Sequence, residues 1–303
     1  MKKTQYASII ALALGCAATS QAALVTGLVA YYDFEETGTA GLENKAPGAT
    51  TAHDGAWSGS FDGTDLDGPG FTGDATYNPG GGLSDRSILL VGNALNVVDG
   101  NNTFADMPIS TAAIGKTMTV SLWTYLAPGA ANASARFHAF ETGDTGVYDL
   151  SIGTTSNYST TGRNDYTTYG PDNDKIGTDV LNSYSEETWH HHVITTTVSG
   201  ADMINRYYLD GTLKRSETAT GAAANFSFTG LHFGDARAGA TNDRDWDGLI
   251  DEAAIWSREL TTGEITQVYQ NGLNGDIVTV PEPSSAALLG LGLSSMLLRR
   301  KRS

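Results

Sequence analysis

The chain of 303 residues has a single cysteine, Cys16, and it lies in the N-terminal apolar stretch, so everything after that stretch is free of disulfides. Oxidising compartments favour disulfides in small domains, but a chain of this length can bury enough core to stand without them. Positive charge is scarce: 18 Lys and Arg stand against 34 Asp and Glu, a formal net charge of −16. Six of the basic residues (Lys2, Lys3, Arg299, Arg300, Lys301 and Arg302) crowd the two ends, so the middle is more acidic than the whole. Such a surface repels phosphate backbones and anionic lipid, which excludes nucleic-acid binding and favours divalent cations. Long apolar runs are missing too, since Ala7 to Ala18 and Ala286 to Leu298 are both shorter than the roughly 20 residues of a membrane-spanning helix. No G-x-S-x-G elbow, H-E-x-x-H pair, phosphate-binding Gly loop or internal repeat occurs.

What is present at the ends is a pair of address labels. Lys2 and Lys3, then Ala7 to Ala18, then small residues at Ser20 and Ala22, make the three zones of a secretory signal peptide with cleavage after Ala22. Ala13-Leu14-Gly15 before Cys16 lacks the upstream Leu of a lipidated cysteine. At the other end Pro281-Glu282-Pro283 precedes the apolar segment and the basic cluster Arg299 to Arg302. Thirteen helical residues reach about 20 Å, short of the ~30 Å hydrocarbon core, and the basic flank stays cytoplasmic. The segment can hold the chain transiently at the inner membrane.

The middle is rich in Gly, Thr, Asn, Asp and Ser, with short apolar stretches between turn residues, which predicts an all-β fold. Strands are expected at Leu28–Phe34, Ser87–Val91, Thr117–Leu126, Val147–Ile152, Trp189–Val198, Asn205–Leu209, Leu231–Gly234 and Gly248–Ser257. In Thr117 to Leu126 apolar side chains fall on even positions and polar ones mostly on odd, the period-2 pattern of a strand with one wet face. Asp210-Gly211 marks a tight hairpin. Thr261 and Glu264 have capping-box spacing before Ile265, Val268 and Tyr269, which predicts one short helix near the C-terminus. Gly55 to Gly82 reads as long rim loops with room for a short strand. The organisation is therefore a signal peptide at 1–22, one domain at 23–275 and a sorting segment at 276–303.

Several stretches together resemble the laminin-G-like jelly-roll family of the concanavalin A-like lectin/glucanase superfamily. These are Leu28-Val29-Ala30-Tyr31-Tyr32-Asp33-Phe34-Glu35, Ser87 to Gly92, Thr117 to Trp123, Trp189-His190-His191-His192-Val193, Arg206 to Gly211, and Gly248-Leu249-Ile250-Asp251-Glu252 through Thr261. The resemblance implies a two-sheet antiparallel jelly-roll sandwich with one short C-terminal helix. Trp123, Trp189 and Trp256 are expected to pack between the two sheets. The C-terminal segment resembles the PEP-CTERM sorting signal, with Pro281, Glu282 and Pro283 as its motif. That implies processing by an exosortase-type enzyme and delivery to the cell surface or extracellular matrix; a plain tail anchor is the alternative.

Candidate ligands follow from residue chemistry. Asp243, Asp245 and Asp247 alternate before Gly248 in the manner of a loop wrapping Ca²⁺, although Ala254 stands where such a loop needs a bidentate Glu. The family resemblance implies a second calcium arrangement, with Asn44 in an early turn and Asp251 in the closing strand, and with Asp33 and Asp54 nearby. His190 and His192 share one side of a strand, but no third zinc ligand stands at a familiar spacing. Trp57, Tyr158, Tyr166, Tyr169 and Trp246 read as loop aromatics on which a sugar ring can stack. Glycosidases of the resembled superfamily carry E-x-D-x-x-E on one strand; here Asp251 and Glu252 are adjacent and expected on opposite faces. The expectation is a non-catalytic exported protein binding polysaccharide or surface glycan, with Ca²⁺ as candidate cofactor. An atypical carbohydrate-active enzyme and a purely structural matrix component are the alternatives.

Overall fold

The computed structural model describes residues 23–34, 41–58, 68–71, 94–97, 104–126, 135–140, 150–153, 165–169, 175–176, 189–224, 226–234 and 248–273. The sandwich body is one compact unit, Gly27–Ile277. In chain order its strands are β1 (Leu28–Tyr32), β2 (Ala56–Ser58), β3 (Gly68–Phe71), β4 (Ala94–Val97), β5 (Phe104–Met107), β6 (Met118–Leu126), β7 (Ala135–Phe140) and β8 (Leu150–Gly153). They continue with β9 (Asp165–Tyr169), β10 (Lys175–Ile176), β11 (Trp189–Ser199), β12 (Asp202–Leu209), β13 (Thr212–Ala219), β14 (Gly230–Phe233) and β15 (Gly248–Trp256). Among the described residues α1 (Thr111–Ile114) and α2 (Thr262–Leu273) join them, with a 3-10 turn at Thr51–His53. The expected strand Ser87–Val91 and residues 147–149 of the expected Val147–Ile152 lie outside the described residues. The stretch read as rim loops supplies two short strands, β2 and β3.

The strands form two sheets, ordered β13-β12-β11-β6-β15-β4-β3 with β1 also on β15, and β10-β9-β8-β7-β14-β5-β2. All named pairings are antiparallel. Between the sheets lies the main apolar core. The first sheet contributes Ala30, Tyr32, Met118, Val120, Leu122, Ile194, Met203, Tyr207, Ile250 and Ile255, and the second contributes Ala105, Met107, Leu231 and Phe233. Local chemistry explains the clearest turns. The β12–β13 hairpin closes through Asp210 (φ 50°) and Gly211 (φ 70°), the left-handed pair that a two-residue turn of this hand requires. The start of α2 is the predicted capping box: Glu264 N–H donates to Thr261 Oγ1 at 3.2 Å while Glu264 Oε2 accepts from Thr261 N–H at 2.8 Å.

One expectation fails. The odd positions of β6 are not wet, because Thr119, Ser121, Trp123 and Tyr125 are as buried as the even ones. Directly opposed residues share a face, and Trp189 pairs with Tyr125, His191 with Trp123, and Trp256 with Thr119. The three tryptophans are therefore buried on the outer face of the first sheet rather than between the sheets. The cover there is α2 with the segment leading to it. Tyr269 stacks on Trp123 with centroids 5.6 Å apart, and Leu260 N–H donates to Thr119 Oγ1 at 2.9 Å. Gly272 lies so close that an added Cβ would sit 2.5 Å from the Trp123 ring. Each tryptophan removes roughly 150–250 Å² from water, an upper bound of about 4–6 kcal/mol in transfer free energy. The outer face of the first sheet is thus buried as well as the inner one, and around Trp123 it is α2 that covers it.

Candidate functional site

The early turn and the closing strand meet at Tyr31. Its hydroxyl donates to Glu252 Oε2 at 2.5 Å. Burial, then the charges of Glu252, Asp251 and Asp33, push this phenol far above its ordinary range. A bulge between Asp251 and Ala254, with Glu252 at φ 51°, breaks the strand's alternation. Glu252 thus meets the Tyr31 hydroxyl, while Asp251 Oδ1 accepts from Glu252 N–H.

Asn44 does not fit the cation role that the family resemblance implied. Its Oδ1 accepts the N–H groups of Tyr31 and Ala46, both at 3.0 Å, and its Nδ2 donates to the Val29 carbonyl at 2.9 Å. An amide oxygen has two lone pairs, and both are already committed to the backbone. Its neighbours are engaged as well: Asp54 Oδ1 accepts from Asn44 N–H at 3.0 Å, Lys45 Nζ lies 2.7 Å from Asp33 Oδ1, and Asp251 Oδ1 accepts from Glu252 N–H at 2.8 Å. Asn44 is a pin that ties the turn to β1. Among the residues whose side chains are described, no three His, Cys, Asp or Glu gather as metal ligands. The other calcium candidates, Asp243, Asp245 and Asp247, lie outside the described residues, as do Tyr158 and Trp246.

The three histidines of β11 serve the strand. His190 Nδ1 lies 2.9 Å from Asp210 Oδ2, and His192 sits between Thr124 Oγ1 (3.0 Å) and Tyr207 Oη (2.8 Å). His191 points to the opposite side, 2.8 Å from Ser121 Oγ, with its ring tilted against Trp123 at 5.0 Å and stacked with Tyr269 at 5.9 Å. Burial lowers His191 to about 4, so it stays neutral beneath α2.

The remaining broad face is the outer side of the second sheet, and its register is informative. Phe137, Phe233, Ala105 and Trp57 stand opposite one another in sequence across the strands, and Ile152 and Tyr166 continue that row. Phe233 and Ala105 belong to the inter-sheet core, so this row is inward. Trp57 and Tyr166 are thus strand residues of β2 and β9, not loop aromatics. At the next register positions Thr167, Ser151, His138, His232 and Asp106 stand opposite one another on five adjacent strands, and of these the described side chains are those of His232 and Asp106. Tyr169, also in β9, pairs with Lys175 and shares the register parity of Thr167. In the centre His232 is 2% exposed at its side chain and Asp106 46%, with Nε2 and Oδ1 3.6 Å apart. Burial lowers His232 to about 3 and raises Asp106 above the usual carboxylate range. This row escaped the sequence reading because its members come from strands far apart in the chain. Its one local trace is a His between the apolar Leu231 and Phe233.

With the two-sheet body and its polar face established, similarity to known proteins can be placed. The family model described as "Concanavalin A-like lectin/glucanases superfamily" matches residues 99–266, more than half of the chain. The chain belongs to that superfamily. A model of the PEP-CTERM protein-sorting motif matches residues 279–302, so this superfamily member carries a signal for export and C-terminal sorting by an exosortase. Pro281, Glu282 and Pro283 fall within that match but outside the described residues, and among the described residues no helix is long and apolar enough to cross a membrane. No curated protein matches the chain. Among solved structures, Trypanosoma rangeli sialidase in complex with 2,3-difluorosialic acid is 13% identical with TM-score 0.54, covering 81% of this chain and 33% of its own. The receptor binding domain of botulinum neurotoxin C/D mosaic serotype is 13% identical with TM-score 0.51, covering 82% and 52%. The chain thus spans about a third of the sialidase and half of the toxin domain. These likenesses speak to the fold alone.

Proposed function

We propose that this is a non-catalytic carbohydrate-binding protein, exported and sorted to the cell surface or extracellular matrix, that meets its polymer on the outer face of the second sheet. The observation that carries this reading is the asymmetry of the sandwich. One outer face is buried beneath α2 around Trp123, while on the second sheet Thr167, Ser151, His138, His232 and Asp106 stand at facing register positions across five strands, with the Asp106 side chain 46% exposed. Sugars are bound by such hydroxyl, amide and carboxylate groups together with an aromatic platform, and Tyr169 takes that place here. The acidic surface directs the choice towards neutral polysaccharide. Calcium enters this reading through Asp243, Asp245 and Asp247, with Trp246 beside them, and not through Asn44.

The test is a polysaccharide array and pull-down with the whole chain, run with Ca²⁺ and with chelator. Binding to at least one neutral polysaccharide is expected, with Tyr169→Ala weakening it about ten-fold, the worth of one stacked aromatic. No binding to any polymer would leave a structural matrix component instead. Release of reducing ends or unsaturated uronates would make the protein an enzyme.

A further inference from the structure

We propose that the joint between the early turn, β1 and β15 is closed by the protein's own donors in place of a divalent cation, with Lys45 as its fixed positive charge. The disagreement between Asn44 and the implied calcium role extends to every oxygen that role would recruit. Asn44 Oδ1 accepts from Tyr31 N–H and Ala46 N–H, and Asp54 Oδ1 accepts from Asn44 N–H. Asp251 Oδ1 accepts from Glu252 N–H, and Glu252 Oε2 accepts from the Tyr31 hydroxyl. Asp33 Oδ1 lies 2.7 Å from Lys45 Nζ. Calcium wants six to eight oxygens turned towards one point, whereas these are turned towards N–H, O–H and ammonium groups.

Charge explains why one of the donors is a cation. After burial itself, the charges of Glu252, Asp251 and Asp33 act on the Tyr31 phenol, so three carboxylates share the neighbourhood of one residue. Asp33 is 9% exposed and Asp251 3%, and carboxylates so far out of water need an opposite charge. Lys45 supplies it. Its backbone N–H donates to the Tyr31 carbonyl at 2.8 Å, next to the Asn44 pin, and from that anchor its stem reaches Asp33. The Lys45 side chain keeps 30% exposure, which limits the cost of desolvating the ammonium. β1 pairs with β15, so the joint fastens the first strand of the sandwich to the last. The calcium of the proposed function belongs to Asp243, Asp245 and Asp247, and this joint does not depend on it.

The experiment is thermal unfolding of the full chain in detergent, with Ca²⁺ and with chelator. It compares wild type, Lys45→Met, Asp33→Asn, the double variant and Lys45→Arg. Lys45→Met keeps the stem at a partly exposed position, so it folds, and is expected to lower Tm by roughly 2–4 °C. Most of that loss should vanish in the Asp33→Asn background, and Lys45→Arg should stay close to wild type. Asp33→Asn should leave any Ca²⁺-induced rise in Tm unchanged. Three results would each overturn the proposal: a neutral Lys45→Met, an equal loss in both backgrounds, or a Ca²⁺-induced rise that Asp33→Asn abolishes. None of them touches the polysaccharide result, which is read by a separate assay.

Discussion

Replacing Gly272 by alanine tests whether α2 really closes the first sheet. The added Cβ would lie 2.5–2.6 Å from three ring atoms of Trp123, and neither partner is free to retreat, because Trp123 is 1% exposed beneath the helix. Overpacking of this kind costs about 1–3 kcal/mol, whereas Gly→Ala within a helix returns about 1 kcal/mol. The balance is a net loss of up to about 2 kcal/mol, lowering Tm by up to roughly 8 °C for a domain of this size. Gly263 is the control, since its Cβ would meet only Thr261 Oγ1 at 4.0 Å. Gly263→Ala should therefore be neutral or slightly stabilising. Thermal unfolding followed by tryptophan fluorescence reads both, and Gly272→Ala should also red-shift the native emission as water reaches Trp123. If Gly272→Ala matched or exceeded wild type in Tm with unchanged emission, the helix would not rest on Trp123, and the sealed-face argument would fall.

Acid should weaken the fold through its buried histidines. Burial lowers His191 to about 4 from its ordinary 6.5, so the unfolded chain takes up a proton first, and the stability present above pH 6.5 is lost as pH falls towards 4. Between pH 7 and 5 this amounts to about 2 kcal/mol, and His191→Phe, which keeps the ring stack, should flatten that part of the urea-midpoint profile. Asn44→Asp removes the Nδ2–H bond to Val29 and should cost about 1–3 kcal/mol in chemical denaturation without creating a Ca²⁺-dependent rise in Tm. Asp210→Ala loses contacts to His190 Nδ1 and His191 N–H and strains φ 50°, so a loss of about 2–4 kcal/mol is expected, with Asp210→Asn milder because asparagine tolerates that conformation.

Features written in a few consecutive residues were legible. Asp210-Gly211 can turn tightly wherever it stands, and Thr261 with Glu264 can cap a helix without help from the rest of the chain. The alternation from Met118 to Leu126 likewise marks a strand with two unlike faces. It does not say what lies above either face. Trp123 was read as inter-sheet core because both core and helix-covered faces select large apolar residues. Trp57 and Tyr166 look like loop aromatics in sequence because the residues around them have weak strand propensity, and only pairing to Ala105 and Ile152 makes them strand residues. Asn44 resembled a ligand because an amide oxygen that could coordinate a cation can equally accept backbone N–H groups.

Local chemistry and period alone therefore determined the all-β class, the hairpin, the capped helix and the terminal sorting motif, since each depends on neighbours within a few residues. The tertiary structure decided that the first sheet is buried on both faces around Trp123, and that His138, His232 and Asp106 stand at facing register positions. Strand register is a property of residues distant in sequence, and one step of register exchanges inside for outside.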